Sequence, residues 1–246
     1  MLSSKRYFQF VRQETEDKEG VILDDIFTNK YIIEYRDVSF GYEKIICNQI
    51  SLKISKGEKI LIVGENGSGK TTLMKLLLKF YEPTEGNILV NGKNISDVNV
   101  KSLRDRVAVV WSHSYIFNDT IKNNICLYED MKADVLNRVL EKCSLLEFYY
   151  EKGEDYIIES NGSNISSGQR QKILLARALV KKEVEIIILD EATANLDKDS
   201  VEQMKKIIKD ELEEYTVILI SHTDDMVDVV NRVCSIHELQ HTPAGK

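Results

Sequence analysis

The stretch Gly64-Glu65-Asn66-Gly67-Ser68-Gly69-Lys70-Thr71-Thr72 constrains this chain more than any other. It spells G-x-x-x-x-G-K-[ST] between a β-rich run, Lys59-Ile60-Leu61-Ile62-Val63, and a helical pattern, Leu73-Met74-Lys75-Leu76-Leu77-Leu78-Lys79. A strand, a glycine-rich loop and a helix in that order make a phosphate-binding loop. Its glycines let successive backbone N–H groups surround phosphate oxygens, and the helix start adds the positive end of its dipole. Gly64, Asn66, Gly67, Ser68, Gly69, Lys70, Thr71 and Thr72 are the expected cradle of a nucleoside triphosphate. Lys70 is expected to reach the β- and γ-phosphates, and Thr71 to ligate Mg²⁺.

A second segment, Val184-Glu185-Ile186-Ile187-Ile188-Leu189-Asp190-Glu191, has consecutive apolar residues followed by two carboxylates. Such a run reads as a strand buried on both faces. Asp190 then falls at the C-terminal end of a parallel strand, where α/β sheets place their ligands, and is expected to hold Mg²⁺ through a water. Glu191 is expected to orient or deprotonate the water that attacks the γ-phosphate. The alternative, two acids capping a helix start, is purely structural.

Asn164-Ile165-Ser166-Ser167-Gly168-Gln169-Arg170-Gln171-Lys172 closely resembles the LSGGQ signature of ATP-binding-cassette (ABC) proteins, and it stands about 20 residues before Asp190. The helix it opens has apolar spacing suited to packing through Ile173, Leu174, Ala176, Ala178 and Leu179. Its start presents Ser166 and backbone N–H groups to an anion. By this resemblance Ser166, Ser167, Gly168 and Gln169 bind nucleotide. Phe40-Gly41-Tyr42 resembles the A-loop, with Tyr42 stacking on adenine for roughly 1–3 kcal/mol. Ala194-Asn195-Leu196-Asp197 resembles the D-loop. His222, after the apolar strand Val217-Ile218-Leu219-Ile220-Ser221, resembles the switch histidine that contacts the γ-phosphate. With Glu191 and Lys70 it completes the catalytic set the resemblance implies. His113, His237 and His241 match no such role.

The resemblance covers residues 31–240. Strand patterns near 46–55, 58–63, 86–91, 106–111, 185–189 and 216–220 alternate with helical ones near 70–80, 131–142, 168–181 and 199–213, which predicts an α/β fold. The family implies a P-loop NTPase core with a mainly parallel sheet, an antiparallel β edge and an inserted helical subdomain. The core is expected at 31–111 and 181–240, and the helical subdomain at 112–180.

At 246 residues with 43% apolar composition, the chain can fill one large core or two modest ones. Cys47, Cys126, Cys143 and Cys234 form no C-x-x-C, so reduced, mostly buried thiols are expected and no zinc site is indicated. No apolar run approaches the ~20 residues of a membrane span. A net charge of −7 weighs against a broad nucleic-acid face.

Residues Tyr7 to Gly20 read as an amphipathic helix running into a charged segment, so 1–30 is expected to be a linker from a membrane domain and 241–246 a tail. Ile116-Phe117-Asn118-Asp119-Thr120-Ile121-Lys122-Asn123-Asn124-Ile125 resembles the exporter pattern LFSGTIRENI. The resemblance therefore implies the ATPase motor of an ABC exporter at the cytoplasmic face of the membrane. Such a motor closes head to tail as a homodimer around two ATP, with Mg²⁺ as cofactor and a transmembrane domain as partner. The alternatives are a complete ATPase pairing with a separate membrane subunit, a soluble or degenerate ABC protein using ATP as a clamp, and the DNA-maintenance or translation branch.

Three segments depart from the family pattern. Ser112 stands where the Q-loop glutamine belongs, and is expected to meet Mg²⁺ only through a bridging water. Ser167 stands in place of the signature's first glycine, and Ile165 in place of its leucine. Ser160 stands where the exporter X-loop usually carries glutamate. His113 is expected to point away from the metal, since neighbouring residues leaving a strand face opposite sides.

Overall fold

The computed structural model describes residues 19–23, 27–194 and 196–240. The helix expected from residue 7, most of the proposed linker, the tail and Asn195 of the D-loop-like segment lie outside them.

The architecture follows from strands too apolar to leave either face in water. β3 (Lys59–Val63), β6 (Val107–Val110), β9 (Ile186–Asp190), β10 (Thr216–Ser221) and β11 (Arg232–Ser235) form a parallel sheet in the order β11-β3-β10-β9-β6. On one face Ile60, Ile62, Ile186, Ile188, Ile218 and Ile220 share a core with Leu73, Met74, Leu76 and Leu77 of α1 (Lys70–Leu77). On the other, Leu61, Ala108, Val110, Ile187, Leu189, Val217 and Leu219 pack into a second core. Alternation along each strand thus feeds two cores from one sheet.

The first core is closed by an antiparallel sheet in the order β2-β1-β4-β5, from β1 (Tyr31–Gly41), β2 (Ile45–Ser55), β4 (Glu85–Val90) and β5 (Lys93–Asn94). β1 is absent from the strands read in the sequence, yet it is central here and pairs with both β2 and β4. Its alternation breaks at Arg36 and Asp37, where Asp37 takes a left-handed φ of 51° and the register shifts. A bulge of this kind erases a period-two signal.

After α2 (Val100–Asp105), the second core takes in α3 (Ile121–Cys126), α4 (Ala133–Lys142), α5 (Leu146–Lys152) and α6 (Ser167–Leu179). A short pair, β7 (Asp119–Thr120) with β8 (Ile157–Ile158), ties the exporter-like segment to the X-loop-like one. Fully buried Asn124 organises this junction. Its side chain donates to the carbonyls of Phe117, Asp119 and Thr120 and accepts from Phe117 N. α7 (Lys198–Lys206) runs on into a π turn over Ile207–Glu211, and α8 (Ile236–Leu239) ends the described chain. Cys47, Cys126, Cys143 and Cys234 are free and buried. No helix among the described residues is long and apolar enough to cross a membrane.

Candidate nucleotide-binding site

The parallel register sets the site. Ile220 lies opposite Asp190, Ser221 opposite Val63, and Val110 opposite Leu189. The chain therefore leaves one sheet edge at Gly64, Glu191, His222 and Trp111 within about two residues of the same level. This is the carboxyl edge, where α/β sheets collect ligands.

At that edge the loop from Gly64 to Gly69 enters α1 through Gly69, whose φ of 101° is open to glycine at little cost. A Cβ on Gly64 would sit 2.5 Å from Ile236 Cγ2, so α8 packs against the loop too closely for a side chain there. No side chain caps α1, so its first N–H groups are left for a ligand. Lys70 is 5% exposed, and its Nζ donates to the carbonyls of Gly64 at 2.6 Å and Glu65 at 2.9 Å. An ammonium has three protons, and one remains for an anion. Ser68 Oγ is buried without a partner. Asn66 and Gly67 are exposed on the outer turn, and Thr72 is half-buried behind Thr71. Open N–H groups, a spare ammonium proton and an orphaned hydroxyl around one loop fit a polyphosphate.

Thr71 Oγ1 donates to Asp190 Oδ2 at 3.0 Å, joining residues 119 apart in sequence. Asp190 is 2% exposed, and burial raises its carboxyl above the ordinary 3.8 against the opposing hydrogen bond from Thr71. A hydroxyl and a carboxylate are hard oxygen donors of the kind Mg²⁺ prefers, and that ion takes its other positions from water and phosphate. Among the described residues no group of three or more His, Cys, Asp and Glu could hold a metal alone.

Glu191 follows Asp190 with a left-handed φ of 53°, held by its N–H donating to Ile220 O at 2.9 Å. A non-glycine residue in that region stores strain of the sort found at functional sites. Its Oε1 lies 3.5 Å from His222 Nδ1. Both line a hollow of about 320 Å³ with Ala194, Leu196, Ser221 and Thr223.

A larger cavity of about 550 Å³ is lined by Thr71, Asp190, Tyr81, Trp111, Ser112 and His113, among others. The alternation expected to turn His113 away from this space ends with β6 at Val110. Trp111 to Ser114 form a tight turn, with Ser114 N donating to Trp111 O at 3.0 Å and Trp111 N to Ser114 Oγ at 3.0 Å. A turn does not alternate, and both Ser112 and His113 face the cavity.

Tyr42 is exposed, as a platform for a base would be, but it is not alone. Its ring lies 5.1 Å from Phe40 and 5.3 Å from Tyr81, nearly perpendicular to both. A hydrogen bond with Tyr81 is the main reason its hydroxyl is pushed up to about 12. Tyr81 escaped the sequence reading because it stands 39 positions from Tyr42, and only the sheet brings the two together.

The signature-like residues are built differently. Ser166 caps α6 by accepting from Gln169 N at 3.1 Å, and Gln169 Oε1 accepts from Ser166 N at 3.0 Å, closing a capping box. Ser166 and Ser167 are exposed. Gly168 is buried, and a Cβ there would lie 2.4 Å from Ser200 Oγ at the start of α7. No hydrogen bond or ion pair among the described residues joins Ser166–Gln169 to Gly64–Thr72.

Fold and site together define a P-loop nucleotide-binding α/β protein. Residues 47–194 match the ABC transporter family, and the chain belongs to that family of ATPases. It is 37% identical over 240 residues to an ATP-dependent lipid A-core flippase of Desulfotalea psychrophila, across 95% of this chain and 41% of that protein. It is 34% identical over 243 residues to a probable ABC transporter ATP-binding/permease protein of Haemophilus influenzae, across 96% of this chain and 43% of that one. The structure of a bacterial Atm1-family ABC exporter with ATP bound superposes with a TM-score of 0.81 at 26% identity, over 95% of this chain and 42% of the exporter. The chain thus spans about two-fifths of the length of these relatives.

Proposed function

We propose that this chain is the ATP-binding and ATP-hydrolysing motor of an ABC exporter, working at the cytoplasmic face of a membrane beside a transmembrane domain. The observation that carries the proposal is the Thr71–Asp190 bond, which sets a phosphate loop and a buried carboxylate 3.0 Å apart with Glu191 and His222 at the same sheet edge. The short coverage of the relatives supports a transmembrane domain in the parent protein.

In this reading the α1 N–H groups and Lys70 bind the phosphates, while Tyr42 carries the base. Thr71 and Asp190 hold Mg²⁺, which when bound neutralises charge on the β- and γ-phosphates. Glu191 orients the attacking water and accepts its proton. His222, next to Glu191, steadies it and donates toward the γ-phosphate. Ser166, Ser167, Gly168 and Gln169 of a second copy cover the exposed side of that phosphate, so two chains close head to tail around two ATP. The relatives named as lipid A-core flippases make an amphipathic lipid the first cargo class to assay in the parent protein.

The test is Mg²⁺-dependent phosphate release by the purified chain, with nucleotide binding followed through Trp111, its single tryptophan. Lys70→Ala should weaken ATP binding roughly 10- to 100-fold, since hydrogen bonds to charged groups contribute about 1.5–3 kcal/mol. ATP bound without any phosphate release would favour the clamp alternative.

A further inference from the structure

The Trp111–Ser114 turn puts an imidazole where only oxygen donors were expected. The turn is held from two sides. Ser114 closes it through both backbone and hydroxyl, and from α6 Arg170 donates to Ser114 O while Arg177 Nη1 donates to Tyr115 O at 2.7 Å. His113 is therefore displayed on a braced support, exposed toward the cavity it lines with Thr71, Asp190 and Ser112.

We propose that His113 supplies a nitrogen donor to the divalent cation held at Thr71 and Asp190. The metal–nucleotide site of this chain is then a mixed oxygen and nitrogen set that favours Mn²⁺ more strongly than an all-oxygen site would. The inference rests on the nucleotide-motor reading above. Ser112 carries one short hydroxyl, whereas imidazole is longer and offers a ring nitrogen. Imidazole suits later first-row metals, and the affinity of a nitrogen-bearing site rises along that row from Mn²⁺, while Mg²⁺ prefers oxygen. No bond is made or broken. His113 coordinates as the neutral ring, with the lone pair of one nitrogen.

The experiment loads the protein with Mn²⁺ and ADP and records pulsed electron paramagnetic resonance, using ordinary protein and protein carrying ¹⁵N-histidine. The expected result is a nitrogen coupling that changes with the histidine isotope and disappears in His113→Ala. By equilibrium dialysis, that variant should bind Mn²⁺ with ADP roughly 10-fold more weakly, with a smaller change for Mg²⁺. His113→Gln, which restores an oxygen donor, should recover Mg²⁺ binding without the histidine coupling. Bound Mn²⁺–ADP with no histidine coupling in the wild type overturns the assignment of His113 and leaves the motor reading standing. Failure of wild type and variant alike to retain any Mn²⁺–ADP overturns the motor reading and this inference together.

Discussion

In the proposed reading the phosphate-loop corner and the start of α6 both meet phosphate, yet they are made in opposite ways. At the corner, Thr71 and Asp190 meet across 119 residues of sequence, Asp190 is nearly inaccessible, and Glu191 is held in a left-handed backbone conformation. At the α6 start, Ser166 and Gln169 satisfy each other across one helical turn with ordinary cap geometry. The corner concentrates desolvation at Asp190 and a left-handed backbone at Glu191. The cap is complete without a ligand, and its two serines are exposed. The corner is assembled by tertiary folding, which buries a carboxyl there. The other is written locally and costs little.

Four outcomes would break or sharpen this contrast. The largest concerns Glu191. Glu191→Gln keeps the phosphate cradle but removes the proton acceptor, so phosphate release should fall roughly 10²- to 10⁴-fold while Trp111 still reports ATP binding. A wild-type rate in that variant would remove Glu191 from the chemistry.

Next is the α6 start. In the Glu191→Gln background with Mg²⁺ and ATP, light scattering should report a dimer whose population rises with nucleotide by mass action. Adding Ser166→Arg should return the profile to monomer with ATP binding by each chain unchanged. A dimer that survives this change means the cap does not face the second copy's phosphates.

A smaller effect is expected at the base platform. Tyr42→Ala should weaken ATP binding by about 1–3 kcal/mol, the range for stacking on a base. Tyr81→Ala should cost less, about 0.5–1.5 kcal/mol as for aromatic pairs, and Tyr81→Phe should recover most of it. Titration of a fluorescent ATP analogue separates the three variants, and equal affinities for all of them would reduce the aromatic trio to packing.

The smallest effect tests the cost of the empty corner. Burial raises the Asp190 carboxyl above 3.8, so its contribution to stability is fully present below that pH and is lost as pH rises through the folded value. Asp190→Asn should therefore raise the Tm of the nucleotide-free chain at neutral pH by about 2–4 °C for each kcal/mol relieved. The advantage should shrink toward zero near pH 4. A lower Tm for the variant at pH 7 would mean that the Thr71 bond outweighs the burial.

Features that depend on a few consecutive residues were legible in the chain alone. The strand before Gly64, the glycines and Lys70, the apolar run into Asp190 and Glu191, and the serine that opens α6 are short-range patterns, and each lies in an element of the matching type. A helix cap is legible because the groups that satisfy it are at most one turn away, and a buried strand because its own apolar run marks it even though its partners are remote. The tertiary structure decided the rest. β1 became the centre of its sheet despite a bulge that hides its period, Asn124 became a buried hub, and Tyr81 came against Tyr42. His113 turned toward the cavity lined by Thr71 and Asp190 because β6 stops at Val110 and a turn follows. Each of these depends on contacts between segments remote in sequence, and such contacts exist only once two cores have closed on the two faces of one sheet.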